Sequence, residues 1–458
     1  MKIQKLLSGV LAASMAFSLT ACGGGDGGGG SSSGYEVPTF DQVKVGEDYT
    51  DLTADIQVFT NRTDLVNTDF QDYVAEFNKL YPNITVTYEG STDYDNDATT
   101  RMTAGDWGDI CMIPSTLRKS DLEVYFQPFG DQTTLDQTYD FLVDKSYAGT
   151  VYGIPSMGNA QGIVYNKKVF EQAGVTSIPK TPDEFLDALQ MIKDNTDAIP
   201  LYTNFAAGWT LGAWDAYISG SATGDPNYKN QVMVHEENPF SDRGDQTGPY
   251  AVYYVMYEAV KRGLVEDDPV TSDWESSKTR INTGEIGCMV LGSWAVSQCK
   301  SEEAGPNGDD VDYMSFPITV GGKQYASAGP DYCYGININS SDDEKIASML
   351  YVKWLTESSG YYFKQGGLPI VKGGEIPAEL STFTDNGVEF VANNDGVEGE
   401  EELQNEISNS SELSLDSDYS KHQRLIEAAL DGSKTLDQIM DEWNAAWTKA
   451  QETYGALS

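Results

Sequence analysis

The pattern of hydrophobic and polar residues becomes regular at residue 55 and predicts alternating strands and helices from there. Three short apolar runs predict strands at residues 55–60, 84–88 and 109–113. Between the first two runs, large apolar side chains recur at helical spacing: Phe70, Val74, Phe77 and Tyr81. Such alternation is typical of a parallel α/β sheet, in which ligands bind beyond the carboxyl ends of the strands.

Polar loops follow all three predicted strands, at 61–64, 89–95 and 114–115, and supply the first candidate binding residues. Asn61, Arg62 and Asp64 come directly after the first strand. Pro114 and Ser115 come directly after the third. Because the carboxyl ends of parallel strands lie at one edge of a sheet, we expect these residues to face a common ligand site.

Three helices are predicted from N-cap signals. In each, a Ser or Thr stands three residues before a Glu or Gln, which is the spacing of a capping box. The pairs are Thr68 with Gln71, Thr181 with Glu184, and Ser341 with Glu344. Pro182 at the first helical position makes the second of these the clearest helix start in the chain.

Two tryptophans follow a further predicted strand at residues 199–202. The segment begins with Asn204 and places Trp209 and Trp214 among small residues where a strand gives way to a helix. An indole ring packs against the face of a pyranose, and neighbouring amides bind its hydroxyls. Both tryptophans could instead be core residues of one helix. The ligand role is favoured for Trp209, whereas the two roles are equally supported for Trp214.

Residues 150–166 carry two β-rich runs separated by Pro155, Gly158 and Gly162. Pro fixes φ and Gly tolerates unusual backbone angles, so the pattern indicates extended chain with interruptions. We interpret this segment as a crossing between two lobes, with Asn159 facing the cleft. The alternative is a buried hairpin within a single domain.

A family resemblance supports the crossing. YGIP at 152–155, YNKKVFEQAG at 165–174 and PKTPDEF at 179–185 resemble the extracellular solute-binding proteins of carbohydrate ABC importers, the family of maltose-binding protein. The resemblance extends over nearly the whole mature chain. It implies an α/β, two-lobe periplasmic-binding-protein-like fold of type II, with a hinge of crossing segments and a ligand cleft between the lobes.

The resemblance also implies further cleft residues. Gly292 and Trp294 follow a predicted buried strand at 286–291, and the resemblance places this indole on the floor of a sugar cleft. A second crossing is expected at 325–337, with Asp331 and Tyr332 at the mouth of the cleft. A third is expected at 366–369.

These crossings divide the chain into expected domains. We expect residues 1–21 to be a lipoprotein signal peptide and residues 22–49 to be a lipid anchor and tether. Lobe 1 is expected to comprise 50–152 and 320–367, and lobe 2 to comprise 156–316 and 370–458.

The N-terminus predicts export and a lipid anchor. Lys2 and Lys5 precede an apolar stretch that is too short for a good membrane span. The stretch ends in Leu-Thr-Ala-Cys, which resembles a bacterial lipobox with Cys22 as the modified residue. A Gly/Ser-rich tether follows at 23–34. We therefore expect a protein held at the outer face of the cell membrane by lipid on Cys22.

Charge and cysteine usage exclude several classes of function. The net charge of -42 makes nucleic-acid binding very unfavourable. Thirteen acidic residues and no Lys or Arg lie between 373 and 420, which indicates a solvated face, with calcium ligation as the alternative. Four cysteines beyond Cys22 lie mostly in apolar runs and are expected to be buried thiols: Cys111, Cys288, Cys299 and Cys333. Neither a cofactor nor a metal site is predicted.

Three functions remain in competition. The first is a monomeric binding protein that captures a mono- or oligosaccharide and delivers it to the permease subunits of an ABC importer. The second is a lipoprotein glycoside hydrolase, which needs only two suitably spaced carboxyls, although no motif singles out such a pair. The third is a binding protein for a non-sugar solute such as a peptide. The first is favoured because the candidate cleft is rich in aromatic and amide side chains and poor in basic ones.

Overall fold

The structure is a computed structural model that describes residues 34–415 and 419–457. The predicted signal peptide, Cys22 and the first part of the tether lie outside the described residues. The strands are β1 Ala54–Thr60, β2 Ile84–Gly90, β3 Ile110–Met112, β4 Gly130–Asp131, β5 Ser146–Tyr147, β6 Thr150–Val151, β7 Ile154–Pro155, β8 Gly158–Asn166, β9 Ile199–Leu201, β10 Ile286–Gly292, β11 Val311–Ser315, β12 Thr319–Val320, β13 Lys323–Pro330, β14 Cys333–Ile336 and β15 Glu389–Ala392.

The helices lie between these strands in the sequence and follow the last of them. They are α1 Asp69–Phe77, α2 Tyr94–Ala104, α3 Leu122–Tyr125, α4 Gln132–Leu135, α5 Lys167–Ala173, α6 Pro182–Asn195, α7 Trp209–Gly212, α8 Gly220–Thr223, α9 Gly248–Lys261, α10 Trp274–Asn282, α11 Trp294–Lys300, α12 Asp342–Glu357, α13 Tyr361–Lys364, α14 Ala378–Asp385, α15 Leu403–Ser410, α16 Ser420–Asp431 and α17 Leu436–Tyr454.

The first lobe is built on a five-stranded sheet with the order β2-β1-β3-β14-β7. β1 is parallel to both β2 and β3, whereas β14 is antiparallel to β3 and β7. Apolar side chains of α1 and α12, including Phe70, Phe77 and Leu350, are buried in its core. A small sheet of β4, β6 and β5 adjoins this lobe.

The second lobe is built on a seven-stranded sheet. Its central order is β12-β13-β8-β10-β9, with β11 also paired to β8 and β15 to β13. α9, α16 and α17 supply much of its larger core, which includes Trp214, Trp443 and Trp447. A smaller core with Tyr313 and Phe383 covers other strands of the same sheet. The α/β two-lobe class predicted from the sequence is confirmed.

The chain crosses between the sheets at segments close to those expected. It leaves the first sheet after β7 and enters the second at β8, and it returns between β13 and β14. Near the third expected crossing, Leu368 exchanges backbone hydrogen bonds with Gly158, at 2.7 and 2.8 Å. The crossings therefore lie side by side.

Two expected boundaries are corrected by the strand pairing and the core. β13 pairs with β8 in the second sheet, so the return to the first sheet follows Pro330 and not residue 320. The expected tether, residues 22–49, is also too long. Phe40 is fully buried in the core of the first lobe, and its N–H donates to the Phe129 carbonyl at 2.7 Å. Burial of a large apolar ring stabilises the folded lobe, so Phe40 belongs to the first lobe and not to a flexible tether.

Cys111, Cys288, Cys299 and Cys333 are buried free thiols, as predicted. Within 34–415 and 419–457, none of the helices has the length and apolar character needed to cross a bilayer.

Candidate functional site

Three tryptophans form a cluster on the second lobe. The ring centroids of Trp209 and Trp274 lie 5.4 Å apart, and the Trp294 ring lies 5.5 Å from each of them. The rings are tilted against one another and not stacked flat, with interplanar angles of 44°, 63° and 80°. The Trp209 side chain is 50% exposed, so the cluster presents an indole surface outward.

Strand pairing brings these rings together. β9 and β10 are parallel neighbours, with Ile199 opposite Ile286 and Leu201 opposite Cys288. Their carboxyl ends therefore lie at the same edge of the sheet. Trp209 begins α7 after β9, and Trp294 begins α11 after β10. Two residues far apart in sequence meet because each begins the helix that follows one of two adjacent strands.

The tryptophan cluster also faces the first lobe. Trp294 packs against the core of the first lobe as well as the smaller core of the second. The Lys278 ammonium lies 4.9 Å from the centre of the Trp274 ring. Partial burial acts to raise the pKa of Asp64, but hydrogen bonds from Arg62 lower it overall, and Lys278 contributes to that lowering. Lys278 thus lies beside the Trp274 indole, and its charge also acts on Asp64 of the opposite lobe.

Arg62 is held rigidly on the first lobe. Its guanidinium donates to both carboxylate oxygens of Asp64, at 2.9 and 2.6 Å, and to Gln365 Oε1 at 2.8 Å. It also donates to the Tyr361 hydroxyl at 3.3 Å. A bidentate pair with a further partner just beyond the C-terminus of α13 fixes the orientation of the charge and neutralises it.

The second crossing places Asp331 next to Asn159. Loss of hydration raises the pKa of Asp331, although the Arg62 guanidinium and hydrogen bonds from Asn159 and Ser156 act in the opposite direction. The Ser156 hydroxyl lies 3.4 Å from the Asp331 carboxylate. Asp331 therefore interacts with residues of the first crossing and with Arg62 of the first lobe, so the polar groups of the crossing segments lie together.

A third polar group involves the end of β3. The Tyr332 hydroxyl donates to Asp95 at 3.3 Å, and the Ser115 hydroxyl donates to the same oxygen at 2.9 Å. Burial, and then the Asp95 charge, raise the pKa of Tyr332. Pro114 is buried beside them, whereas Ser115 is exposed.

Apart from that of Gln451 in α17, four buried amide oxygens have no hydrogen-bond donor among the described residues. They belong to Asn61, Asn159, Gln161 and Asn204. A buried acceptor without a donor costs about 1–3 kcal/mol, so such groups mark places where a ligand hydroxyl or water is needed. Asn204 adopts a φ of 55° in the turn after β9. Its side-chain amide nitrogen donates a hydrogen bond to the Met289 sulfur at 3.3 Å.

The structure therefore brings the candidate residues into neighbouring groups. One contains Arg62, Asp64, Asp331 and Asn159, another contains Ser115 and Tyr332, and a third contains Trp209 and Trp294. Their role in binding a ligand stays a prediction. Trp214, by contrast, is 4% exposed and packs against Phe316 in the core.

Several residues of the site were not anticipated. Gln161 lies two residues after Asn159 on β8, hence on the same face, and the alternation of a strand could have identified it. Trp274 is the first residue of α10. A large aromatic ring at the start of a helix was the one sequence feature that could have identified it as a site residue. Asp95 ends the loop at 89–95 that was expected at the site, although the residue itself was not singled out. Lys278 gave no local signal, because its role depends on contacts with distant segments.

Among its described residues, the acidic run shows no metal centre. Throughout the described ranges, no three His, Cys, Asp or Glu side chains come together in a way that could hold a metal ion. Several acids of the run are ion-paired instead, such as Glu389 with Lys323 and Glu400 with His235.

The two-lobe α/β fold is the fold of solved solute-binding proteins. The chain belongs to the family of bacterial extracellular solute-binding proteins, whose model matches residues 65–361. Among solved structures, it is 45% identical to a manno-oligosaccharide-specific solute-binding protein from Bifidobacterium animalis subsp. lactis in complex with mannotriose, with a TM-score of 0.87 over 91% of this chain and 99% of that one.

Two curated sugar-binding relatives are more distant. The multiple sugar-binding protein of Streptococcus mutans is 22% identical over 69% of this chain and 75% of its own length. The xylose/arabinose-binding protein of Haloferax volcanii is 28% identical, but the match spans 48% of this chain and only 46% of that relative.

Proposed function

We propose that the chain captures a saccharide between its two lobes. The observation that carries this proposal is the pairing of an indole cluster with buried amide oxygens that need donors. Sugar rings present apolar faces to indoles and hydroxyl donors to amide oxygens. Arg62 is neutralised by Asp64, so the site favours a neutral ligand over an anion.

The proposed ligand is a manno-oligosaccharide. Two solved binding proteins at 45% identity, each aligned over 91% of this chain, hold mannotriose and mannobiose. At that similarity the site of this chain is expected to take the same class of sugar. Half-exposed Trp209 next to two further rings offers room for more than one sugar unit.

The proposed physiological role is delivery to an ABC importer. One of the similar proteins is the binding protein of an ABC transporter. Ligand contacts to both lobes would favour the closed form, with the hinge at the crossing segments. We also propose that lipid on Cys22 holds a monomer at the outer face of the cell membrane, within reach of the permease.

A panel of ligands tests the proposal. A ligand that binds only the folded protein stabilises it by about 2.7 kcal/mol at a hundredfold excess over Kd. We expect mannobiose and mannotriose to raise the melting temperature, and raffinose, maltotriose and a dipeptide to raise it less or not at all. Chromatography after long incubation should recover the sugar intact. Absence of a shift with every saccharide would contradict the proposal, and shortened products would indicate a glycoside hydrolase.

A single methyl group added at Gly292 should shift the Trp294 indole and so disturb the proposed site. A Cβ at Gly292 would lie 2.7 Å from Nε1 of Trp294, so Gly292→Ala must displace this indole. We expect the affinity for the best saccharide of the panel to fall about tenfold, as for other losses of geometric fit of about 1–2 kcal/mol. Titration calorimetry measures it. Gly212→Ala is the control, since a Cβ there meets no atom within 4 Å.

A further inference from the structure

One ion pair joins the lobes away from the crossing segments. Lys119 lies in a turn after β3 of the first lobe, and Asp395 follows β15 of the second. The ammonium lies 2.8 Å from the carboxylate, and the two side chains are 12% and 30% exposed. Partial burial makes such a pair less screened by salt than a surface pair.

Asp395 belongs firmly to the second lobe. β15 is parallel to β13, and the Asn394 N–H donates to the Pro226 carbonyl at 2.8 Å. Gln231 Nε2 donates to the backbone carbonyl of Asp395 itself at 2.8 Å. The backbone at Asp395 is therefore held in place by its own lobe, independently of Lys119.

Lys119 belongs equally firmly to the first lobe. Its turn runs into α3, where Leu122 is fully buried in the core. Asp144 of the same lobe has a lowered pKa because of the Lys145 ammonium first and the Lys119 ammonium as well. The Lys119 charge thus also acts on an acidic residue of its own lobe.

The surfaces around the ion pair are polar and not closely packed. A cavity of about 260 Å³ separates the hairpin residues 146–149 from the segment that contains Asp395, Gly396 and Glu401. An ion pair that lies beside such a cavity can separate at lower cost than a packed apolar interface. Its strength must come mainly from the charges.

We propose that Lys119 and Asp395 form a clasp that exists only when the lobes are closed and that sets the ligand affinity without touching the ligand. The inference rests on the proposed capture of a saccharide between the lobes. An ion pair that forms only in the closed state shifts the equilibrium between the open and closed states by the interaction free energy of the pair. The clasp therefore acts on the rate at which the closed complex opens.

Lys119→Met, Asp395→Asn and the double variant test the clasp. Each single variant is expected to bind mannotriose between about threefold and about tenfold more weakly, through faster dissociation. The double variant should lose no more than a single one, because both remove the same interaction. Stopped-flow Trp fluorescence gives the rates, and titration calorimetry gives the affinity.

Lys168→Met and Asp310→Asn serve as matched controls, since that pair has the same 2.8 Å distance but lies within the second lobe. Unchanged affinity in all three clasp variants, or losses that add fully, would overturn the inference. If the unmodified protein binds no saccharide, the proposed function fails, and the clasp is judged on the ligand-free protein. Small-angle scattering must then show a larger radius of gyration for the double variant, and equal radii would overturn the clasp.

Discussion

Trp209→Ala is expected to weaken saccharide binding between about 30-fold and about 1,000-fold while leaving the free energy of unfolding nearly unchanged. The indole is half exposed and packs mainly on Trp274 and Trp294, so little core is lost with it. Buried aromatic anchors of binding sites cost about 2–4 kcal/mol when truncated, which corresponds to that range of affinity. Titration calorimetry with mannotriose measures the affinity, and urea unfolding measures the stability.

Tyr454→Ala is a matched control, because this ring is 43% exposed at the end of α17, a helix that packs against α9, α15 and α16. It should bind the sugar as the unmodified protein does. Two results would contradict the assignment of Trp209 to the site. One is unchanged affinity for every saccharide that the protein binds. The other is a loss of stability as large as expected for a core tryptophan, about 3–5 kcal/mol.

The fold could be predicted largely because its signals are local. The apolar runs at 55–60, 84–88 and 286–291 correspond to β1, β2 and β10. The capping box of Ser341 with Glu344 is present in the structure as predicted. Residues within four positions of each other determine such elements, so one sequence suffices to identify them.

Helix N-termini show where local signals fail. Thr68 stands at the N-cap of α1, but its hydroxyl donates to the Asp64 carbonyl at 2.9 Å and makes no cap bond. Gln71 donates to the Val66 carbonyl at 2.8 Å. The predicted capping box is therefore wrong here, because the preceding loop offers better acceptors to both side chains.

The candidate site could be predicted only where strand ends imply it. Asn204 and Trp209 were expected at the site from their position after a predicted strand, and Trp294 from the family resemblance. The two strands that they follow proved to be neighbours. Gln365 lies in the site through a contact with Arg62, 303 residues away in the sequence. No periodicity in one sequence encodes such contacts.

A buried charged network holds the C-terminal helix α16 against the second lobe. The Asp215 carboxylate accepts from the Lys421 ammonium at 2.5 Å, from Nε2 of His422 at 2.9 Å and from the Tyr253 hydroxyl at 2.7 Å. Asp215, Lys421 and His422 are all essentially inaccessible to water. Burial acts to raise the pKa of Asp215, but the Lys421 and His422 charges outweigh it and hold this pKa well below its usual value.

Asp215→Asn is expected to reduce the free energy of unfolding by about 3–5 kcal/mol at neutral pH. The substitution keeps the shape of the side chain but removes the negative charge that lies 2.5 Å from the buried Lys421 ammonium, and removal of one partner of a buried ion pair has a cost of that order. Urea unfolding followed by far-UV circular dichroism measures it. Lys421, His422 and Tyr253 are buried residues outside the proposed site, so the variant that remains folded should bind the saccharide normally.

The pH dependence of stability shows whether Asp215→Asn acts through loss of the negative charge or through a change in packing. A carboxyl whose folded pKa is lowered contributes stability above its unfolded pKa of about 3.9, and that contribution falls as the pH is lowered towards the folded pKa. The gap between the unmodified protein and Asp215→Asn should therefore be widest above about pH 4 and narrow below it. Glu442→Gln, in an exposed pair 2.7 Å from Lys434, should change stability by less than about 1 kcal/mol. Equal small losses in both variants, or a gap that does not depend on pH, would show that the buried charges do not hold α16 in place.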